Sequence, residues 1–358
     1  MTREDFTIDN KLVDSYYGFI NEFSCDRAMV RGNMRRFGFI DENLDKVINE
    51  DFERASDFKE NLAVVMFNGK YRYIDQNGDF YFKNRYNKAN DFSEGLASVA
   101  FKDYFGYIDK NGEIVIPYSY DNASNFKDGL AIVTRGRYSN IINKDGDKIL
   151  AYPYEKIYDF SEGLAKTYKN KVNSFIDKNG NVILDNVASG VGDFHCGLAN
   201  IYNGNRFGFI NTTGELVIPY MYKFAGNFID DRAVVLYKDK WGIIDKNDDF
   251  VVQPIFDYIR YIKEGYYGVN FNNKWGVVDS NGYLAIPIVY SGLGEVYNGL
   301  LSVSNNYKEG LITMDNEIIL PTNYDYVGKY SSGIVPFRYG YNWYCLKEKE
   351  NKKVKVRK

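Results

Sequence analysis

The sequence predicts an all-β protein: a tandem array of about ten 34-residue, three-stranded units, arranged as a β-propeller-like ring or an open superhelical array. Two observations carry this. A turn led by phenylalanine, Phe-x-x-Gly in most copies and followed by an apolar pair, recurs at Phe92, Phe126, Phe160, Phe194 and Phe228, each 34 residues after the last. Short runs of β-branched and aromatic residues alternate with Gly and Pro throughout, leaving no unbroken stretch for a helix of ten or more residues. A 34-residue period also suits paired helices, but this turn content excludes them.

One well-formed unit justifies its elements in order. Leu96 to Phe101 and Phe105 to Asp109 read as strands, and Glu113 to Ile116 as a short third strand closed by Pro117. Asn111-Gly112 supplies positive φ angles for a tight hairpin between the second and third strands, and the dipeptide returns at 77, 179 and 281. Pro153, Pro219, Pro254, Pro287 and Pro321 stand where Pro117 does. They are expected to end the strand, because proline cannot donate to a ladder. Phe58 precedes the series in register, while Ile262, Val296 and Tyr330 extend it with Gly265, Gly299 and Gly333. The copy entered at Phe23 is one residue longer.

An aromatic-glycine pair opens the second strand at Phe37-Gly38, Phe105-Gly106, Phe207-Gly208, Trp241-Gly242 and Trp275-Gly276. With Lys240 or Lys274 before it, and an apolar pair and Asp245 or Asp279 after it, this resembles the bacterial WG-repeat family. Ser139-Asn140, Asn173-Ser174 and Glu309-Gly310 lack the aromatic. The resemblance covers nearly the whole chain. It implies a binding or scaffolding module, with no catalytic activity attached to the repeat.

The ends are expected to complete each other. Residues 1–22 supply a strand for the last unit, 23–329 hold nine repeats, 330–346 a partial tenth, and 347–358 a charged tail. Ile8 to Val13 reads as the end of a second strand plus a third, which the last unit lacks. A unit split in this way closes propeller rings and removes open sheet edges.

Of 358 residues, 45 are Lys or Arg and 48 Asp or Glu, a net charge of -3, so no global field favours nucleic acid or acidic lipid. The basic tail reads as a solvated end. No run of 18 apolar residues and no leader pattern occurs, and Cys25, Cys196 and Cys345 form no CxxC pairing, so a cytoplasmic protein is expected. A chain whose signal peptide had been removed would read the same.

Little in the pattern supports chemistry. His195, the sole histidine, occupies a variable turn position, and Cys196 aligns with Cys25 in that turn. Recurrent acids sit at Glu60, Glu94, Asp128, Glu162 and Glu264, and after the second strand at Asp41, Asp75, Asp109, Asp177, Asp245 and Asp279. Repetition in step with the fold makes them turn stabilisers rather than paired acids or calcium ligands. Phosphate loops are absent, so no catalytic, cofactor or metal residue is expected.

Tyr118, Tyr120, Tyr220, Tyr222, Tyr290 and Tyr324 follow the third strands. Either they line an aromatic surface for stacking on sugars or peptides, or they pack one unit against the next. The expected function is a noncatalytic protein-protein interaction scaffold whose specific contacts lie in the most divergent stretch, Phe126 to Asn227. The alternative is carbohydrate or cell-wall binding through the repeated aromatics.

Overall fold

The computed structural model describes residues 2–13, 17, 19–32, 34–188 and 190–349; the tail beyond Lys349 lies outside them. The architecture is all-β, of the β-propeller class, with ten small sheets, one per repeat. The one helical turn among the described residues is the 3-10 turn Arg3–Asp5. Two compact units are formed, one by residues 1–57, 262–279 and 284–358, the other by residues 58–261 and 280–283.

In the second unit the sheet of strands Lys88–Ala89, Ala97–Phe101, Tyr104–Ile108 and Ile114–Tyr120 typifies the repeat. It is antiparallel throughout. To the three predicted strands it adds the two-residue Lys88–Ala89, too short to leave any periodicity in the sequence. The core lies between successive sheets. Tyr107, Ile116 and Tyr120 of one repeat pack on Ala123, Phe126, Ala131 and Val133 of the next.

Ring-on-ring contacts set this packing. The Tyr107 and Phe126 rings lie 4.8 Å apart, as do Phe175 and Phe194, and Phe209 and Phe228; Tyr73 and Phe92 are at 4.9 Å. The phenylalanine that marks the repeat in sequence is thus the group each sheet inserts against its predecessor. Such a tilted pair contributes ~1 kcal/mol beyond its burial.

The glycine after the aromatic has a steric reason. A Cβ on Gly208 would lie 2.5 Å from the Ile218 carbonyl oxygen, and one on Gly242 would lie 2.7 Å from that of Val252. The backbone of the outer strand crosses directly over the glycine, at a register shift between Trp241 and Ile243. Where other residues occupy this position the outer strand is either lost or held by a new contact. At Arg72 and Asn140 it is reduced to isolated bridges, Tyr71 to Tyr86 and Ile74 to Phe80 in one sheet, Ser139 to Tyr154 and Ile142 to Lys148 in the other. At Ser174 the strand Val182–Val187 persists, and the serine hydroxyl donates to the Asp185 carboxylate at 2.7 Å.

Two expectations about turns are corrected. Pro117, Pro219 and Pro254 lie inside their outer strands rather than ending them, for example in Leu216–Tyr222. An outer strand has no ladder on its far side, so a missing N–H costs nothing there. At the Asn-Gly turns the glycine alone is left-handed, with Gly112 at φ 81°. The loop is closed by Asp109, whose carboxylate accepts from the backbone N–H groups of Asn111 and Glu113, each at 2.9 Å.

In the first unit the chain termini share a sheet. Strand Phe6–Val13 pairs along Asn342–Glu348, with Phe6 opposite Glu348 and Ile8 opposite Leu346. The N-terminus therefore supplies one continuous outer strand, where the sequence suggested the end of one strand and the whole of another. Trp343 Nε1 donates to the Tyr17 carbonyl at 2.7 Å, and Ser331 Oγ to that of Phe23 at 2.9 Å. Tyr17, Ile20 and Phe23 close a core with Ile334, Trp343 and Cys345.

Candidate binding surface

Strand direction gives each sheet two ends. In the typical sheet the turn at Glu94 and Gly95 and the turn closed by Asp109 lie at one end. The hairpin tip Lys102-Asp103 and the link at Asp121 lie at the other.

At the first end, both central residues of every Phe-led turn are left-handed, from Cys25 and Asp26 to Ser332 and Gly333, with φ between 50° and 84°. This is the primed hairpin geometry that suits strand twist. It explains glycine at the last position, and why Asn61 or Asp231 replaces it elsewhere. Carboxylates of this turn bind the turn of the next repeat. Glu60 accepts from Gly95 N–H at 3.2 Å, Glu94 from Gly129 N–H at 3.0 Å, and Glu162 from Cys196 and Gly197 N–H at 2.5 and 2.8 Å. Lysines of the Asp-led turns join them, Lys110 to Glu60 at 3.0 Å and Lys144 to Glu94 at 3.2 Å. In the first unit Glu264 holds Asn298 and Gly299 N–H in the same way. Glu60, Glu94, Glu162 and Glu264 are thus structural ligands of the backbone, whereas Asp128 pairs with Lys178 at 3.1 Å, and no group of three or more His, Cys, Asp or Glu residues suited to a metal ion occurs among the described residues. His195 and Cys196 belong to one of these turns, and Cys345 is buried in the core.

The six tyrosines lie within the outer strands rather than after them, because each strand continues past its proline, and they take packing positions. Tyr222 is fully buried and donates to Asp248; Tyr120 is 8% exposed. Tyr118 and Tyr220 are half-buried against the clusters of neighbouring repeats. Tyr290 packs beside Ile286 and donates to Asn316 Oδ1 at 3.3 Å, and Tyr324 lies 4.8 Å from the Phe337 ring. Burial raises the hydroxyl pKa of Tyr118, Tyr290 and Tyr324, and burial with the Asp248 partner raises that of Tyr222.

Solvent-facing aromatics stand instead at the hairpin tips of the second end. Phe101, Tyr104 and Tyr138 are exposed in the second unit, and Tyr307, Tyr339 and Tyr341 in the first. Their signal in sequence is an aromatic flanking a two-residue hairpin. Such residues suit a strand equally, which hides the signal.

Two grooves open between successive sheets of the second unit. One, of about 370 Å3, lies at the turn end, lined by Glu94, Asn125, Lys127, Asp128 and Asp159. The other, of about 360 Å3, exists because the outer strand after Asn140 has peeled away, and is lined by Tyr120, Arg135, Tyr138, Ser139, Lys148 and Pro153. Asn140 holds the displaced chain: its side chain donates to the Leu150 carbonyl at 3.1 Å and accepts from Leu150 N–H at 3.3 Å.

These features define a β-propeller-class repeat protein, each sheet built on an aromatic-glycine step and a Phe-led turn. The chain belongs to the family described as WG containing repeat, which matches at residues 37–71, 71–103, 105–136, 141–172, 207–241, 241–275, 275–308 and 310–343. The stretch 173–206 between two matches is the copy that opens with Asn173-Ser174. No curated protein matches. Among solved structures, a eukaryotic initiation factor is similar at 10% identity and TM-score 0.52, over 91% of this chain and 100% of that one, a likeness of fold alone. The WD40 domain of SCAP from fission yeast matches at 11% identity and TM-score 0.36, over 96% and 98%. Kluyveromyces lactis Hsv2p matches at 9% and 0.35, over 58% and 85%. No helix among the described residues is long and apolar enough to cross a membrane.

Proposed function

We propose that this protein is a noncatalytic scaffold that binds another protein through residues between Phe126 and Asn227. The observation that carries the reading is the division of labour within each repeat. Recurrent acids, phenylalanines and glycines are engaged in backbone and inter-sheet contacts, whereas hairpin tips and grooves vary from copy to copy. Invariant framework with variable tips is how repeat arrays spread weak contacts over a long surface. The groove made by Asn140 falls in this stretch. The six tyrosines expected to stack on glycans are committed to packing, and the aromatics exposed at the hairpin tips differ from copy to copy, so protein is the favoured partner.

Affinity capture from an extract of the source cells tests this, beside a glycan array. A stoichiometric protein partner lost on substituting the tips at Arg135, Arg137, Lys169 and Lys171 supports the reading. Glycan binding with no protein partner overturns it.

A further inference from the structure

We infer that the groove beside Asn140 and the two hairpin tips next to it form a docking site for an acidic, extended peptide segment, which rests on and deepens the scaffold reading. Six cations lie on two successive repeats of the second unit: Arg135 and Arg137 at one tip, Lys169 and Lys171 at the next, Lys148 on the displaced outer chain, and Lys156 at the start of strand Lys156–Ser161 of the following sheet. All but Lys169 are exposed. Among the described residues none of the six forms an ion pair.

The carboxylates interleaved with them are engaged elsewhere. Asp121 accepts from Gly136 N–H at 2.5 Å, Glu155 from Asn170 N–H at 3.3 Å, and Asp147 from the Asn143 side chain at 3.2 Å. Each hairpin tip is thus fixed by an acid that its own lysines and arginines do not contact. A net charge of -3 for the chain conceals this local basic surface.

Ring positions decide between polyanions. Arg137 lies over Tyr138 at 5.1 Å, Lys156 over Tyr158 at 4.1 Å and Lys169 over Tyr154 at 5.8 Å. Bases of a single-stranded nucleic acid need free aromatic faces, and cations already cover these three rings. A peptide carboxylate needs the cation itself, and Arg presents a planar fork that takes it with two hydrogen bonds. The groove runs beside the first tip, where Arg135 and Tyr138 line it with Ser119, Ser139 and Lys148, a polar wall suited to an extended backbone.

The test is fluorescence anisotropy of the full chain with labelled decaglutamate and, separately, labelled deca-thymidylate. Arg135→Ala/Arg137→Ala is compared with Lys59→Ala/Lys127→Ala, which removes the same charge at the opposite strand ends; circular dichroism confirms that both are folded. The inference expects saturable peptide binding, weakened at least about tenfold by the first variant and less than about twofold by the second. Absence of peptide binding, or equal loss in both variants, overturns it. Tighter binding of the oligonucleotide with the same arginine dependence assigns the surface to nucleic acid and also overturns it. A protein captured by the intact chain, with no peptide binding, leaves the scaffold reading standing and removes this one.

Discussion

The Glu94 carboxylate accepts the backbone N–H of Gly129, 35 residues away, at 3.0 Å. The same contact links Glu60 to Gly95, Glu162 to Gly197 and Glu264 to Gly299. A left-handed turn in each of these repeats is held by the acid of the turn before it. Inter-repeat order is thus carried by charge-assisted bonds as well as by apolar packing.

This linkage predicts an acid limb of stability. Partial burial raises the carboxyl pKa of Glu60 and Glu94, but the amide bonds from Gly95 and Gly129 and the ammonium groups of Lys110 and Lys144 outweigh it, so both lie below the usual 4.5. The Glu113 amide likewise draws Asp109 below 3.8. Carboxylates lowered by folding stabilise the protein above their unfolded pKa, and that stability is lost as pH falls through the folded values. The thermal midpoint is expected to fall below about pH 4.5, and to fall less in Glu60→Gln/Glu94→Gln. An identical acid limb in the variant would exclude the turn chain as its source.

An alkaline limb should follow from the buried tyrosines. Burial pushes Tyr86 up to about 12 and raises Tyr73 and Tyr107 as well. A raised folded value means stability that is full below the ordinary tyrosine range and declines as pH rises through about 12. Titration followed by ultraviolet absorbance should show a delayed tyrosinate fraction that appears together with unfolding. Complete ionisation near pH 10 in the folded state would contradict the burial.

Gly242→Ala should destabilise by about 2 kcal/mol, because its Cβ meets backbone that cannot yield like a side chain. Gly95→Ala, with nothing within 4 Å of the added carbon but φ at 84°, should cost about 1 kcal/mol from backbone strain alone. Chemical denaturation compares the two. Equal penalties would sink the close-approach account of the WG glycine.

Phe126→Ala should cost about 3 kcal/mol, since the ring is 1% exposed and abuts Tyr107 at 4.8 Å. Tyr152→Ala, at a residue 78% exposed, should leave stability unchanged within about 0.5 kcal/mol. If the two variants unfold at the same denaturant concentration, the repeat phenylalanine is not the inter-sheet anchor.

Deleting residues 2–13 should bare the edge of strand Asn342–Glu348. An unpaired edge templates further pairing. Size-exclusion chromatography is expected to show concentration-dependent association, with a lower thermal midpoint. A monomer of unaltered midpoint would show the terminal strand to be dispensable.

The alternation of strand and turn and the 34-residue step were legible in the sequence because both rest on local rules: residue shape, turn conformation and hydrophobic spacing. Even the structural role of Glu94 and Asp109 was readable, since repetition in phase with the fold is what a turn stabiliser shows. Less legible were features that depend on which side of a strand is covered. Pro117 reads as a terminator until its strand proves to be an outer one. Tyr222 reads as either a surface or a packing residue until the next sheet closes over it.

By itself, then, the sequence determined the unit, its three longer strands and its count, because backbone propensity and period act within a few residues. Only the tertiary structure decided that Glu94 reaches Gly129, that Gly242 lies under the carbonyl of Val252, and that Asn140 in place of glycine opens a groove among unpaired cations. Those relations join residues far apart in the chain through backbone approach and charge placement. No periodicity encodes distance across a fold, so they appear only once the sheets are packed.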